Sequence, residues 1–595
     1  MPLFIALILG VFAPMVASAA SLQFGIAESI ITPPMMDSYV DSNGNRRHDK
    51  DEPWTDTNQN GRFDPYYIAG FGQNRVATSV HDDLKAVAVS VSSNGKRIVL
   101  VSVDTIGWFR HDKDEVAKLV TAPIDLLLIH ATHNHEAPDT IGLWGPDYFR
   151  GGVNRDYLNH VKSQIAGAID AAIRQEKPAT MLRAELDTVP ADLGQIDTRP
   201  YPEKLDTRLV TAQFRDSGTG AVLGTLVNFG NHVETLWSGN TSLTADYPGF
   251  LRDALKSGIQ LNGQTVLEGT GAPVLFIAGN IGGLATTSYD TPVRDPFTGA
   301  TWIEPSFDKA IAQGRYLAKL TSELLQSPQA QHDLEPSIHF VSRSYKLPVE
   351  NLEFILAGSL VKLISRPFTF ENWGWKVETE SHLVRIGGLS LLTVPGELYP
   401  EIAVGGLDHP IGGDRDTAPK EWPPLLDIMP GSTRMFANTC NDFLGYIIPA
   451  SEWDREKPYI TGTDNAPYGE GNSLGPVTGE RIHETSLNLI LESRSQTQDT
   501  YQSPFTGQYR FAFDQGTVDP MNVDALGRIE GKYTAPGGSS FTISGYVSAK
   551  GELNFWIENK VKAQGAMAPG RIEGTYESRD HPGVVNKAGT FQASF

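Results

Sequence analysis

The chain has 595 residues, and 49 Lys+Arg against 70 Asp+Glu give it a net charge of −21. Its length carries roughly two to four domains, and 40% apolar with 20% charged residues is ordinary globular composition, which excludes wholesale disorder or a fibrous repeat. The acidic balance argues against nonspecific nucleic-acid binding, which needs basic patches, and the single Cys440 excludes an intramolecular disulfide and a cysteine-built zinc site.

In chain order, Leu3 to Val16 is nearly all apolar and Ala17-Ser18-Ala19 follows as a small-residue cleavage pattern. Residues 1–20 therefore read as a signal peptide, with a buried N-terminal helix as the alternative. Secretion or a periplasmic location is the expectation. No later segment reaches ~18 consecutive apolar residues, so no transmembrane anchor is expected after signal removal.

Residues 41–64 are rich in side-chain oxygens. Asp41, Asn43, Asn45, Asp49 and Glu52 fall at positions one, three, five, nine and twelve of a calcium-loop template. Asp56, Asn58, Asn60 and Asp64 repeat the first four, with Gly61 at the sharp turn of position six. Arg46 replaces that glycine in the first copy, and Tyr67 stands at position twelve of the second. A structural Ca²⁺ role is expected; a solvated Asn/Asp/Gly turn region is the alternative.

Ala86–Val91 and Ile98–Asp104 flank Asn94-Gly95, a hairpin signal. Leu126–His130 and Val274–Ile277 read as buried strands. Tyr157, Val161, Ile165, Ile169 and Ile173 recur every four residues and predict a helix ended by Pro178; Phe307–Gln326 and Gly479–Glu492 predict two more. The expected fold class is α/β (mixed α+β) over residues 21–492. A polar linker over 493–507 leads to a small all-β domain over 508–595, an antiparallel meander in a sandwich or barrel.

Four separated segments point to one metal site. Thr132-His133-Asn134-His135 follows a strand, and residues two apart in extended backbone face the same side. Asn228-Phe229-Gly230-Asn231-His232 leads into Ser242–Gly249; Leu391–Glu397 ends in Val394-Pro395-Gly396-Glu397; Gly445-Tyr446-Ile447-Ile448-Pro449 is the fourth.

In order and local sequence these islands resemble the neutral/alkaline (non-lysosomal) ceramidases, from Gly25-Ile26-Ala27 to about Ile482. Val80–Leu84 and Val101–Asp104 are similar to early family segments. The resemblance implies Zn²⁺ held by His133, His232, Glu397 and Tyr446, with His135 and Arg199 at the substrate carbonyl and polar head. It also offers Asp104 and Asp246 as acids orienting the imidazoles. The chain departs from the family where Ala285 stands at the place of its proposed Ser nucleophile and Gly283 at that of an Asp. A methyl group cannot attack a carbonyl, so zinc-bound water is the expected nucleophile. The expected activity is hydrolysis of an N-acyl amide, the partner a small acylated, lipid-like molecule, with peripheral membrane contact open. Zinc-assisted hydrolysis of a non-lipid ester, lactone or amide, or a non-catalytic calcium-stabilised binding protein, are the alternatives.

Overall fold

The computed structural model describes residues 22–34, 37–199, 204–360, 364, 366–408, 410, 412–460 and 462–594. The N-terminal segment read as an export signal lies outside the described residues. Among those described, no helix is long and apolar enough to cross a membrane.

A nine-stranded sheet forms the body. Its order is Val274–Ala278, Val222–Phe229, Leu209–Asp216, Lys177–Leu186, Gln23–Ile30, Lys85–Ser93, Lys96–Val103 and Leu126–Ala131, with Gln331–Asp333 beside Lys177–Leu186. The joint between its halves is thin, because only Gln23 and Phe24 pair with Pro178 and Lys177. The sheet curls until its ends meet: Ser102 Oγ donates to the Phe276 carbonyl at 2.6 Å, and the Ala278 N–H donates to His130 Nε2 at 2.9 Å. The expected hairpin is present, with Ser93 opposite Lys96 and both Asn94 (φ 52°) and Gly95 (φ 77°) left-handed. That is the backbone twist a two-residue hairpin turn requires.

Helix Arg155–Arg174 starts where Asn154 caps the Tyr157 N–H, and it buries Tyr157, Val161, Ile165 and Ile169 against Ala86, Ala88, Val99 and Val101 of the sheet. Its end differs from the sequence expectation. It stops at Arg174, and Pro178 already lies in the next strand, so the proline does not terminate it. Asp246–Ser257 and Phe307–Gln326 pack together on the other half of the sheet. Thr478–Gln496 covers a second sheet of Ile338–Pro348, Gly374–Ile386, Leu389–Thr393 and Thr433–Ala437, with Thr369–Glu371 beside Gly374–Ile386.

Three parallel pairs decide where a site can form. Lys96–Val103 runs with Leu126–Ala131, Val222–Phe229 with Val274–Ala278, and Leu389–Thr393 with Thr433–Ala437. Parallel strands end together, and the crevice beyond their carboxyl ends is where α/β sheets bind ligands. Buried asparagines stitch these ends. Asn228 Nδ2 donates to the Ile277 and Phe436 carbonyls at 2.9 Å each, and Asn438 Oδ1 accepts the Leu398 N–H at 2.7 Å. His130 joins them through Nδ1 and the Asn438 carbonyl at 2.7 Å. Such bonds satisfy buried backbone groups at the strand ends.

From Gly507 to Ser594 eight antiparallel strands follow one another as a meander. Phe511 and Phe513 of the first strand meet Phe591 of the last, at ring separations of 5.8 and 5.5 Å, so the sheet rolls into a near-barrel around its own apolar core. Tyr546 fixes it to the body by donating to Asp427 at 2.8 Å.

Candidate metal centre

Beyond the strand Leu126–Ala131 the chain turns sharply: His133 is left-handed (φ 63°) rather than extended. Residues 133–135 then run beside 232–234, with the His135 N–H donating to the Val233 carbonyl at 2.9 Å. Two imidazoles of the THNH motif still reach one pocket, by a kinked route and not by strand alternation. The ring of His133 lies 4.9 Å from those of His135 and His232. Each of the three rings offers a nitrogen within 4.8 Å of the other two, and all three side chains are buried.

Pro395-Gly396 brings in the carboxylate. A Cβ on Gly396 would sit 2.5 Å from the Gly445 carbonyl, so the two backbones touch there. That contact lets Glu397-Leu398 pair in parallel with Tyr446-Ile447 and sets Glu397 next to Tyr446. Glu397 Oε2 stands 3.1 Å from His232 Nε2 and 3.5 Å from His133 Nε2. The structure thus brings together His133, His135, His232, Glu397 and Tyr446.

The imidazoles are held by their other nitrogens. His133 Nδ1 donates to the Ile106 carbonyl at 2.8 Å, and His232 Nδ1 to the Ala285 carbonyl at 2.9 Å. His135 Nδ1 lies 3.0 Å from Glu234 Oε2 in ion-pair contact, and neither of its ring nitrogens makes a hydrogen bond among the described residues. An N–H fixed on one ring nitrogen leaves the other with a lone pair, the arrangement that prepares histidine for a cation.

Electrostatics agree. Burial pushes His133 down to about 3. Burial opposes the charge of His232 too, but the Glu397 hydrogen bond and the charges of Glu234 and Glu397 raise it to about 9. Burial likewise works against the Glu397 carboxylate, and His133, His232 and Tyr446 outweigh it, so its pKa falls. One proton is therefore shared between His232 and Glu397, at a place where the donor set suits a divalent cation. Burial and the Glu397 charge raise the Tyr446 phenol well above its ordinary value, so it stands as a neutral hydroxyl.

Glu234 was not singled out by sequence reasoning. Burial raises its pKa, yet His135, His232 and a hydrogen bond from Thr286 bring it down to about 2, so it is ionised. Its signal was its place two residues after His232, on the segment running beside the THNH motif.

Two expected orienting acids do other work. Asp104 pairs with Arg252 at 2.6 and 2.9 Å and accepts the Lys85 N–H. Asp246 accepts the Tyr247 and Leu236 N–H groups, anchoring the loop after His232. Neither touches an imidazole, because backbone carbonyls and Glu234 fill that role. Arg199 is buried, pairs with Asp197 at 2.6 Å and Glu401 at 2.8 Å, and stacks 4.5 Å from the Tyr399 ring. Its charge is paired, while Nη1 has no hydrogen-bond partner among the described residues.

The positions that depart from the family lie beside the site's own groups. Ala285 contributes its carbonyl, which accepts both the backbone N–H and Nδ1 of His232. Gly283 is left-handed (φ 73°), and a Cβ there would lie 2.5 Å from Arg199 Cζ. The Thr286 hydroxyl donates to Glu234.

The oxygen-rich insertion folds as two equivalent loops. Asp41 accepts the N–H groups of Gly44, Asn45 and Arg46; Asp56 accepts those of Asn60 and Gly61. Asn43 and Asn45 reach Asp49, as Asn58 and Asn60 reach Asp64. Arg46 takes the left-handed turn that Gly61 takes in the second copy. Glu52 closes the first loop by accepting the Ser42 and Asp49 N–H groups. In the second loop Asp37, from before both, accepts the corresponding Thr57 and Asp64 N–H groups. The acid missing at Tyr67 is thus supplied from upstream. Asp37 is 1% exposed. Burial raises its pKa, and the contact with Asp64 adds to that, while the Asp64 carboxyl is lowered.

No protein-family model and no curated protein sequence matches the chain. Among solved structures, the neutral ceramidase from Pseudomonas aeruginosa matches with a TM-score of 0.55 at 12% identity, covering 97% of this chain and 98% of that one. A ceramidase complexed with C2 matches with a TM-score of 0.54 at 12% identity, covering 97% and 93%. The chain shares, over nearly its whole length, the fold of a neutral ceramidase.

Proposed function

We propose that the chain is a zinc-dependent amidohydrolase of neutral ceramidase type that acts outside the cytoplasm on an N-acyl amide of a lipid-like amine. The observation that carries this reading is the convergence of three buried imidazoles, two of them, His133 and His232, against the Glu397 carboxylate. His133, His232 and Glu397, with Tyr446 beside them, would hold the ion. When bound, zinc in such a nitrogen and oxygen set supplies Lewis acidity toward the acyl carbonyl and lowers the pKa of water toward ~7.

The protein's own groups supply the proton traffic. Glu234 lies 3.0 Å from Nδ1 of His135, and Nε2, without a partner among the described residues, is the nitrogen left for the reaction. From there His135 takes a proton from the attacking water and delivers it to the departing amine nitrogen as the C–N bond breaks. The neutral Tyr446 hydroxyl is a donor suited to charge developing on the acyl oxygen. With Ala285 at the place of the family's Ser and Thr286 engaged by Glu234, direct attack by water is favoured over an acyl-enzyme. The two loops at 41–64, completed by Asp37, would hold structural calcium.

Hydrolysis of a fluorogenic N-acyl amide, measured with and without a zinc chelator, tests the reading. Activity lost on chelation, restored by zinc and absent in Glu397→Gln is the expected result. Turnover that survives both treatments would refute it.

A further inference from the structure

A cavity of about 250 Å³ has Tyr399 and Tyr468 in its wall, both ring neighbours of Tyr446. Its wall residue Tyr468 meets the Tyr446 ring edge-on at 5.9 Å, and Tyr399 forms another wall. Arg199 is the single cationic side chain among the described lining residues, and Asp197 and Glu401 already balance it. Three further carboxylates line the same space: Glu452, Asp454 and Glu470.

Each of the first two is half used. Glu452 accepts the Asp408 N–H at 3.2 Å through Oε1, and Asp454 accepts the Ile460 N–H at 2.8 Å through Oδ2. Among the described residues, Glu452 Oε2 and Asp454 Oδ1 have no hydrogen-bond partner, although the side chains are only 5% and 2% exposed. Glu470 accepts the Asp454 N–H at 3.2 Å. A buried carboxyl oxygen without a donor is costly, and several buried carboxylates without a counter-charge are more so. Burial raises the pKa of all three, Glu470 to about 7, and the charge of neighbouring Glu401 adds to it at Glu452.

We propose that this cavity is a cation subsite receiving an ammonium group on the amine half of the substrate. The proposal rests on the hydrolase reading and narrows its substrate class to N-acylated amines that carry a second, basic nitrogen. An ammonium supplies both donors and charge for Glu452 and Asp454, and the Tyr399 and Tyr468 rings add a cation–π contribution. The cavity's volume accommodates a compact head of a few heavy atoms. A fatty acyl half carries no charge, so the amine half is the part that answers these carboxylates.

Calorimetric binding of non-hydrolysable sulfonamides separates this from turnover. The probes are N-(4-aminobutyl)hexane-1-sulfonamide, its neutral isostere N-pentylhexane-1-sulfonamide and the N-(4-hydroxybutyl) analogue. The aminobutyl compound is expected to bind the zinc-loaded full chain at least about tenfold more tightly than either other probe. Glu452→Gln and Asp454→Asn are each expected to shrink that ratio. Equal affinity for the three probes in the unaltered protein, or a ratio unchanged in both variants, would overturn the proposal. If the variants fail to fold, the comparison in the unaltered protein still decides. Because no bond is broken, failure here is distinct from failure of the amidohydrolase reading.

Discussion

Glu234 Oε2 lies 3.0 Å from Nδ1 of His135, and the other oxygen of the same carboxylate receives the Thr286 hydroxyl. The carboxylate therefore places its charge directly against the imidazole. Glu234→Gln keeps the shape and removes the charge. Steady-state kinetics should show kcat lowered about 10²- to 10⁴-fold with KM little changed, the range over which a positioned acid–base group acts. Bound zinc should be retained. A kcat close to that of the unaltered protein would remove His135 from the proton path.

Gly283→Ala tests the packing of Arg199. The new Cβ would meet the guanidinium at 2.5 Å in a left-handed backbone conformation (φ 73°). A loss of about 1–3 kcal/mol in denaturant unfolding is expected. An unchanged midpoint would show that Arg199 moves freely in the cavity wall.

Much of this arrangement was legible in the sequence because local signals carried it. The Asn94-Gly95 hairpin, the helix Phe307–Gln326 and the apolar strand at Val274 are each specified by neighbouring residues. His133, His232, Glu397 and Tyr446 could be grouped only through the order of their motifs, and the fold brings them together. What stayed hidden depends on contacts across the chain. Glu234 gains its meaning from His135, which lies far earlier in the chain, and the backbone carbonyls of Ile106 and Ala285 have no side-chain signature at all. Asp104 and Asp246 were misplaced for the same reason, since Arg252 and two backbone N–H groups claim them. Asp37 escaped the loop template because it enters from the wrong end.

Asp37→Ala tests the calcium loops. Calcium at about a hundredfold its Kd stabilises a folded site by roughly 2–3 kcal/mol. The melting temperature of the unaltered protein should therefore rise with calcium and fall with EGTA, and Asp37→Ala should lose part of that response. A melting temperature indifferent to both reagents would rule out structural calcium.

Stability should also fall in mild acid. His130 and His483 are buried as neutral rings, and burial depresses both to about 4. The unfolded chain titrates near ~6.5. Their stabilisation is therefore present in full above ~6.5 and lost as pH falls toward 4, at most about 3 kcal/mol each. His483 donates from Nε2 to the Pro423 carbonyl at 2.8 Å, a bond an amide can replace. Denaturant midpoints measured across this window should fall less steeply in His483→Gln. An identical slope would mean that His483 is charged in the folded protein.

Metal content of the purified chain, read by mass spectrometry beside His133→Ala and His232→Ala, bears most directly on the site. About one zinc per chain, lost from both variants while each still melts cooperatively, is the expected result. Zinc absent from the unaltered protein after exposure to the metal, or undiminished in both variants, would contradict it.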